Sequence, residues 1–192
     1  MDDGILERNL DNHFEAIDLC VARGLRMPAL ILTYSAIDFL AWLARPAGKT
    51  SVDRQEFVGF AKKYIVDAGF SQCSAIDLYA ARCAHVHSNS FESSLSASGA
   101  ASVVLYAWGS ADPEALLAVL LRAGRADVKV VKVEALISAV KQAARGLIDD
   151  IRLDPARWEL VLERSAKFFD ENPELDAHVN ELAAMLDARQ KP

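Results

Sequence analysis

Clustered positive charge is scarce in this chain of 192 residues: 21 Lys and Arg stand against 27 Asp and Glu, and the formal net charge is −6. A broad nucleic-acid-binding face needs Lys and Arg gathered on one surface. That class is therefore excluded, and a small local phosphate site is not. Cysteine is sparse as well. Cys20, Cys73 and Cys83 are odd in number and show no C-x-x-C spacing, so they read as reduced, mostly buried thiols of a cytoplasmic protein. The four histidines, His13, His85, His87 and His178, do not have the spacing of a structural zinc site. No metal and no cofactor is expected. The acidic opening Met1-Asp2-Asp3-Gly4 lacks the layout of a secretory leader. Long uninterrupted apolar runs are lacking too. The longest apolar stretch, Pro28 to Arg45, is interrupted by Thr33, Tyr34, Ser35 and Asp38. It reads as a buried core helix, and no membrane partner is expected.

What is present is enough apolar matter for a substantial core. The chain is 52% hydrophobic, with eight Phe, four Tyr and three Trp. It needs no disulfide staples. Leu6, Leu10, Phe14, Ile17 and Val21 recur at spacings of three and four, which predicts an amphipathic helix over residues 5–23, closed by Gly24. Pro28 suits the first turn of a second, central helix running to Arg45. Pro46-Ala47-Gly48 breaks it. A third helix begins after Ser51 and runs to Val66. Ser74 caps a fourth, with Ile76, Tyr79, Cys83 and Val86 on one face, taken as its apolar face.

The composition changes after the fourth helix. Residues 88–102 hold seven serines with Gly99 and Asn89, the signature of a loop. Val103-Val104-Leu105-Tyr106 and the run from Val128 to Val133 read as short strands, with a helix opened by Asp112-Pro113-Glu114 between them. A small β-α-β crossover follows from that order. Trp108-Gly109 reads as a turn anchor between the two halves. The chain turns helical again from Glu134 to Arg152. Asp154-Pro155 opens a further helix and Asn172-Pro173-Glu174 a last one. The expected fold is mainly α: a four-helix bundle over residues 1–92, and an extension over 93–192 carrying two short strands and further helices, packed on the bundle. Ala-Ile-Asp occurs three times, ending at Asp18, Asp38 and Asp77, but the flanks do not match and no duplication is inferred.

One stretch suggests a specific chemistry. Asp77-Leu78-Tyr79-Ala80-Ala81-Arg82-Cys83-Ala84-His85-Val86-His87-Ser88 ends the fourth helix and sets one arginine among two histidines. Arginine is permanently charged and grips phosphate with two donors, and histidine moves protons near neutrality. On a regular helix five positions turn through about 140°, so Arg82 and His87 do not share a face, whereas Arg82 and His85 do. Either the helix ends before His87, or a second subunit completes the pair, or His85 is the partner. Asp38, in the middle of the apolar second helix, needs a partner if buried. It can orient Arg82 or a motif histidine, cap a neighbouring helix, or pair with Arg45 or Lys63. Tyr34, Tyr79 and Trp42 can stack a base, although such spacings more often serve a core. His13 and His178 read as solvated.

The Arg82-x4-His87 string at the end of a fourth helix resembles the signature of the HEPN domains, many of which are metal-independent ribonucleases. The resemblance covers roughly residues 5–90. It implies a homodimer in which Arg82 stabilises a phosphate and His87 does proton or nucleophile-positioning work on an RNA 2′-hydroxyl. His85, Asp38 and Tyr79 are implied in supporting or substrate-binding roles. It further implies RNA or a nucleotide as ligand and a setting in toxin-antitoxin, defence or stress systems, with an antitoxin or other protein as partner. A polar residue, often Asn, commonly follows the motif arginine in active members. Here Cys83 occupies that position, a departure that bears on catalysis more than on fold. A non-catalytic HEPN-like module for nucleotide or protein binding is the alternative.

Overall fold

The computed structural model describes residues 4–88, 90–165, 178–182 and 185–186, and for His87 and Ser88 the backbone only. Eight α-helices and two strands follow one another: α1 (Gly4–Ala22), α2 (Arg26–Ala44), α3 (Arg54–Ala61), α4 (Ala75–Ser88), α5 (Ser94–Ala97), β1 (Val103–Ala107), α6 (Pro113–Arg122), β2 (Val128–Lys132), α7 (Val133–Arg152) and α8 (Pro155–Ser165). The helix expected from Asn172-Pro173-Glu174 starts outside the described residues.

The local sequence accounts for most element ends. Gly24 adopts φ 68°, a left-handed conformation that costs a glycine little and ends α1. The N-cap of α3 is Asp53 rather than Ser51, because Asp53 and Glu56 form a reciprocal capping box. A π-helical segment, Lys62–Val66, continues α3. The extra residue per turn carries Lys63 and Tyr64 to Asp150 of α7, at 2.6 and 3.0 Å. The serine-rich stretch is not wholly loop. Ser93 and Ser96 cap one another reciprocally and hold the single turn of α5.

The two strands pair in parallel, with Val103 opposite Val128 and Ala107 opposite Lys132, and α6 makes the crossover. Both ends of this small sheet are tied to α4 and to the bend that precedes it. Asp77 of α4 accepts from the Ser102 amide at 2.6 Å, and Gln72 accepts from the Lys132 amide at 2.8 Å. Trp108 packs against the core with Arg26 of α2 over its ring, and Gly109 donates to Glu134 at 2.8 Å. This is the anchoring expected of Trp108-Gly109.

α2 is the central helix. Nine of its residues are buried, among them Tyr34, Ile37 and Leu40. By length and composition it could cross a membrane, yet half of it is buried inside this fold. It packs on α1, α3, α4, α7 and α8. One hydrophobic cluster runs from Leu6 of α1 to Val161 of α8 through Leu136, Val140 and Leu147 of α7. α7 is strongly amphipathic and shares the core of the first four helices, so no apolar boundary falls near residue 92.

Candidate functional site

α4 is held at its start by a third reciprocal cap. Ser74 receives the Asp77 amide, and Asp77 accepts from the Ser74 amide at 2.9 Å and its hydroxyl at 2.6 Å. The first residue of the motif stretch is therefore structural. The helix then buries Leu78, Ala81 and His85 on the core side. Ile76, Tyr79, Cys83 and Val86 were expected on the apolar, inward face. They instead form the partly uncovered face together with Arg82. Side-chain size offers a reason: Ala80, Ala81 and Ala84 are buried where α4 packs among α2, α3 and β1, a side on which small residues fit.

Arg82 and Asp38 meet across the α2–α4 contact. Arg82 Nε donates to Asp38 Oδ2 at 2.7 Å, with 22% and 27% of the two side chains exposed. Asp38 thus finds its partner in Arg82. The alternatives, Arg45 and Lys63, are engaged elsewhere: Arg45 donates to the carbonyls of Trp42 and Lys49, and Lys63 binds Asp150. Burial weakens the charged form of Arg82, but the Asp38 carboxylate and the neighbouring Cys83 outweigh it, and the guanidinium titrates above its ordinary range.

His85 shares a helix face with Arg82 in sequence, yet it turns into the core and is 3% exposed. Its ring stacks on Tyr34 at 5.8 Å between centroids and tilts against Tyr106 at 5.2 Å. His85 Nε2 lies 3.0 Å from the Tyr106 hydroxyl, which lies 2.7 Å from the Tyr34 hydroxyl. Nδ1 of His85 is buried with no hydrogen-bond partner among the described residues. Burial pushes the imidazole below its ordinary pKa. A neutral, enclosed ring of this kind organises the core and is poorly placed to meet a substrate.

The side chain of His87 lies outside the described residues. Its backbone is helical, because α4 runs through Ser88. Of the alternatives for bringing Arg82 and His87 together, a helix that ends before His87 is therefore ruled out. Position 87 therefore sits about 140° around the axis from position 82.

Tyr79 packs edge-on against Phe57 at 5.4 Å. Burial raises its phenol pKa, and the Cys83 thiol one turn on, within hydrogen-bonding reach, raises it further. Trp42 is covered by the Arg45 guanidinium at 4.0 Å, and Tyr34 is fully buried, so neither offers a face to a base. His13 is not merely solvated: its Nε2 donates to the Leu32 carbonyl at 2.8 Å, tying α1 to α2. His178 is exposed.

Tyr106 is the residue sequence reasoning missed. It lies in an unremarkable β-branched run, and its partners stand 72 and 21 positions away. No local signal marks it. Burial raises the phenol pKa of both Tyr34 and Tyr106, and it pushes the nearby Cys73 thiol up to about 12. Among the described residues no group of three or more His, Cys, Asp or Glu side chains is arranged to hold a metal. Comparison with protein-family models, with curated proteins and with solved structures finds no match to this chain.

Proposed function

We propose that this protein is a HEPN-like, metal-independent endoribonuclease that works as a homodimer built on α4, in a toxin-antitoxin, defence or stress setting. The observation that carries the reading is Arg82, held by Asp38 at 2.7 Å and still partly open to solvent on the uncovered face of α4. A guanidinium fixed by a carboxylate keeps its fork in one orientation, which favours bidentate recognition of a phosphate. His87 is the proton-transfer group on this reading. Its angular separation from Arg82 is bridged when the same helix of a second copy lies alongside, so that one groove receives an arginine from one copy and a histidine from the other. Arg82 then stabilises the negative charge that builds on the phosphate as the 2′-oxygen attacks.

The test is cleavage of single-stranded RNA in EDTA. Arg82→Ala and His87→Ala should each lower the rate by about 10²-fold or more, with unchanged circular dichroism. Full activity in both variants would end the proposal.

A second reading is a non-catalytic HEPN-like module that binds a nucleotide or a protein. It is favoured by Asp38 balancing the charge of Arg82, by the burial of His85, and by Cys83 standing where active relatives commonly carry a polar residue. RNA binding without cleavage, lost in Arg82→Ala, would select it.

A further inference from the structure

The open face of α4 continues onto α3. Tyr79 meets Phe57 of α3 at 5.4 Å between ring centroids. Arg82 follows Tyr79 by three positions and Arg54 precedes Phe57 by three, so each arginine stands one helical turn from that aromatic contact. The two helices are packed neighbours joined by the short stretch 67–74, and they run antiparallel. Both arginines therefore lie on the same side of the contact. Arg54 is exposed, Tyr79 is half-buried, and Arg82 is partly open.

Among the described residues Arg54 has no structural task. It occupies the first position of α3, where a cation opposes the helix dipole. Its guanidinium makes no hydrogen bond or ion pair among the described residues. The acids of the same turn are engaged. Asp53 accepts from the amides of Gln55 and Glu56 and lies 3.5 Å from Lys49, and Glu56 lies 2.8 Å from Lys49. Burial raises the phenol pKa of Tyr79, and the charges of Arg82 and Arg54 both act to lower it, so both fields reach that ring. Arg82 is balanced by Asp38. Arg54 supplies the net positive charge which that pair lacks.

From two arginines flanking a half-buried tyrosine on the α3–α4 edge we infer a path for a single strand of RNA, with Arg54 as a phosphate-holding residue outside the reacting centre. The inference rests on the reading of Arg82 as a phosphate ligand and adds the direction in which the strand leaves it. One phosphate lies on Arg82, the next on Arg54, and the base between them lies on the open part of the Tyr79 ring. Stacking on an aromatic side chain needs an unpaired base, and two guanidiniums hold two successive phosphates of one strand. A duplex keeps its bases inside and is held by its backbones alone. That needs a broader basic face than a chain of net charge −6 provides. The contact is short, one dinucleotide step for each copy of the chain.

Fluorescence anisotropy of the full chain with a labelled 2′-O-methyl RNA dodecamer tests this, because that probe binds without offering a 2′-hydroxyl for cleavage. Arg54→Ala should weaken binding by about tenfold and lower the slope of log K against log salt by about 0.7, the share of one phosphate in a single strand. Its melting temperature should not fall, since its cation opposes the helix dipole. Arg54→Lys should regain most of the affinity. Arg23→Ala, at an exposed position just past α1, changes the net charge equally and should leave affinity and slope unchanged. Tyr79→Leu should weaken binding about fivefold or more, and the same sequence as a duplex should bind about tenfold more weakly than the single strand. A native chain that binds the probe in this pattern, yet leaves unmodified RNA intact in EDTA, would end the ribonuclease reading and keep the strand path. No binding at about 0.1 mM protein, unchanged affinity and slope in Arg54→Ala, an equal loss in Arg23→Ala, or a duplex bound as tightly as the single strand would each overturn it.

Discussion

Arg82 and Asp38 lie 44 positions apart and join α4 to α2 through a 2.7 Å hydrogen-bonded ion pair. The pair resolves two problems at once. A carboxylate within the most apolar helix gains a counter-charge, and an arginine on a helix of small apolar residues gains a fixed direction. Neither side chain is fully desolvated, so the pair keeps part of its Coulomb attraction without the full penalty of a buried charge.

Asp38→Asn should cost about 1–2 kcal/mol in urea unfolding, more than a freely exposed pair and less than a buried one. Arg82→Ala should cost a similar amount. The double variant should cost clearly less than the sum, because each single change already removes the shared interaction. Strict additivity would show that the two residues do not stabilise one another.

Tyr106 stands between two buried partners, so its hydroxyl matters more than either neighbour's. Tyr106→Phe leaves the Tyr34 hydroxyl and His85 Nε2 unpaired, next to an Nδ1 that is already unpartnered. The expected loss is about 1–3 kcal/mol. Tyr34→Phe should cost less, because Tyr106 keeps His85. The order of the two denaturation midpoints checks this. The reverse order would place the anchor on Tyr34.

The helices were legible because apolar residues at spacings of three and four report burial directly, and because Gly24, Pro113 and Pro155 mark ends chemically. The two strands and their crossover were legible for the same kind of reason. The rotation of α4 was not. Ile76, Tyr79, Cys83 and Val86 are all larger than Ala80, Ala81 and Ala84, yet it is the alanines that are buried. Periodicity names a face, and packing distance decides which face is covered. The candidate site divides the same way. Arg82 and Asp38 could each be picked out as residues needing a partner. That they would choose one another, and that His85 would be withdrawn by a tyrosine from β1, depends on contacts across 44 and 21 positions.

His85 should make stability sensitive to mild acid. Its folded pKa is lowered by burial, while the unfolded value lies near the ordinary 6.5. The unfolded chain therefore binds the proton more readily. The contribution is fully present above about pH 6.5 and is lost as pH falls from there through the lower, folded pKa. His85→Phe keeps an aromatic ring against Tyr34 and removes the titrating group. Unfolding free energy measured between about pH 7.5 and 5 should decline for the native chain and decline less for the variant. Equal slopes would assign the pH dependence to other groups.

The uncovered face of α4 bears on assembly. Tyr79, Arg82 and Cys83 are half-buried, and Val86, one turn on, is 38% exposed. Tyr and Arg dominate protein interfaces, and an exposed valine beside them gains by being covered. Val86→Glu touches no buried atom, so folding should change by no more than about 0.5 kcal/mol. Two copies meeting along this face would each bury the new charge, so on the proposed arrangement light scattering should show a dimer for the native chain and a monomer for the variant. Mixing then separates assembly from chemistry. If one site draws its arginine and histidine from different copies, an equal mixture of Arg82→Ala and His87→Ala chains contains heterodimers with one intact site. It should regain about a quarter of native RNA cleavage, since half of the dimers are mixed and each carries one of two sites. A site contained within one chain regains nothing on mixing. Recovery with a monomeric Val86→Glu background would contradict the composite arrangement, because no second copy is then present to supply the missing residue.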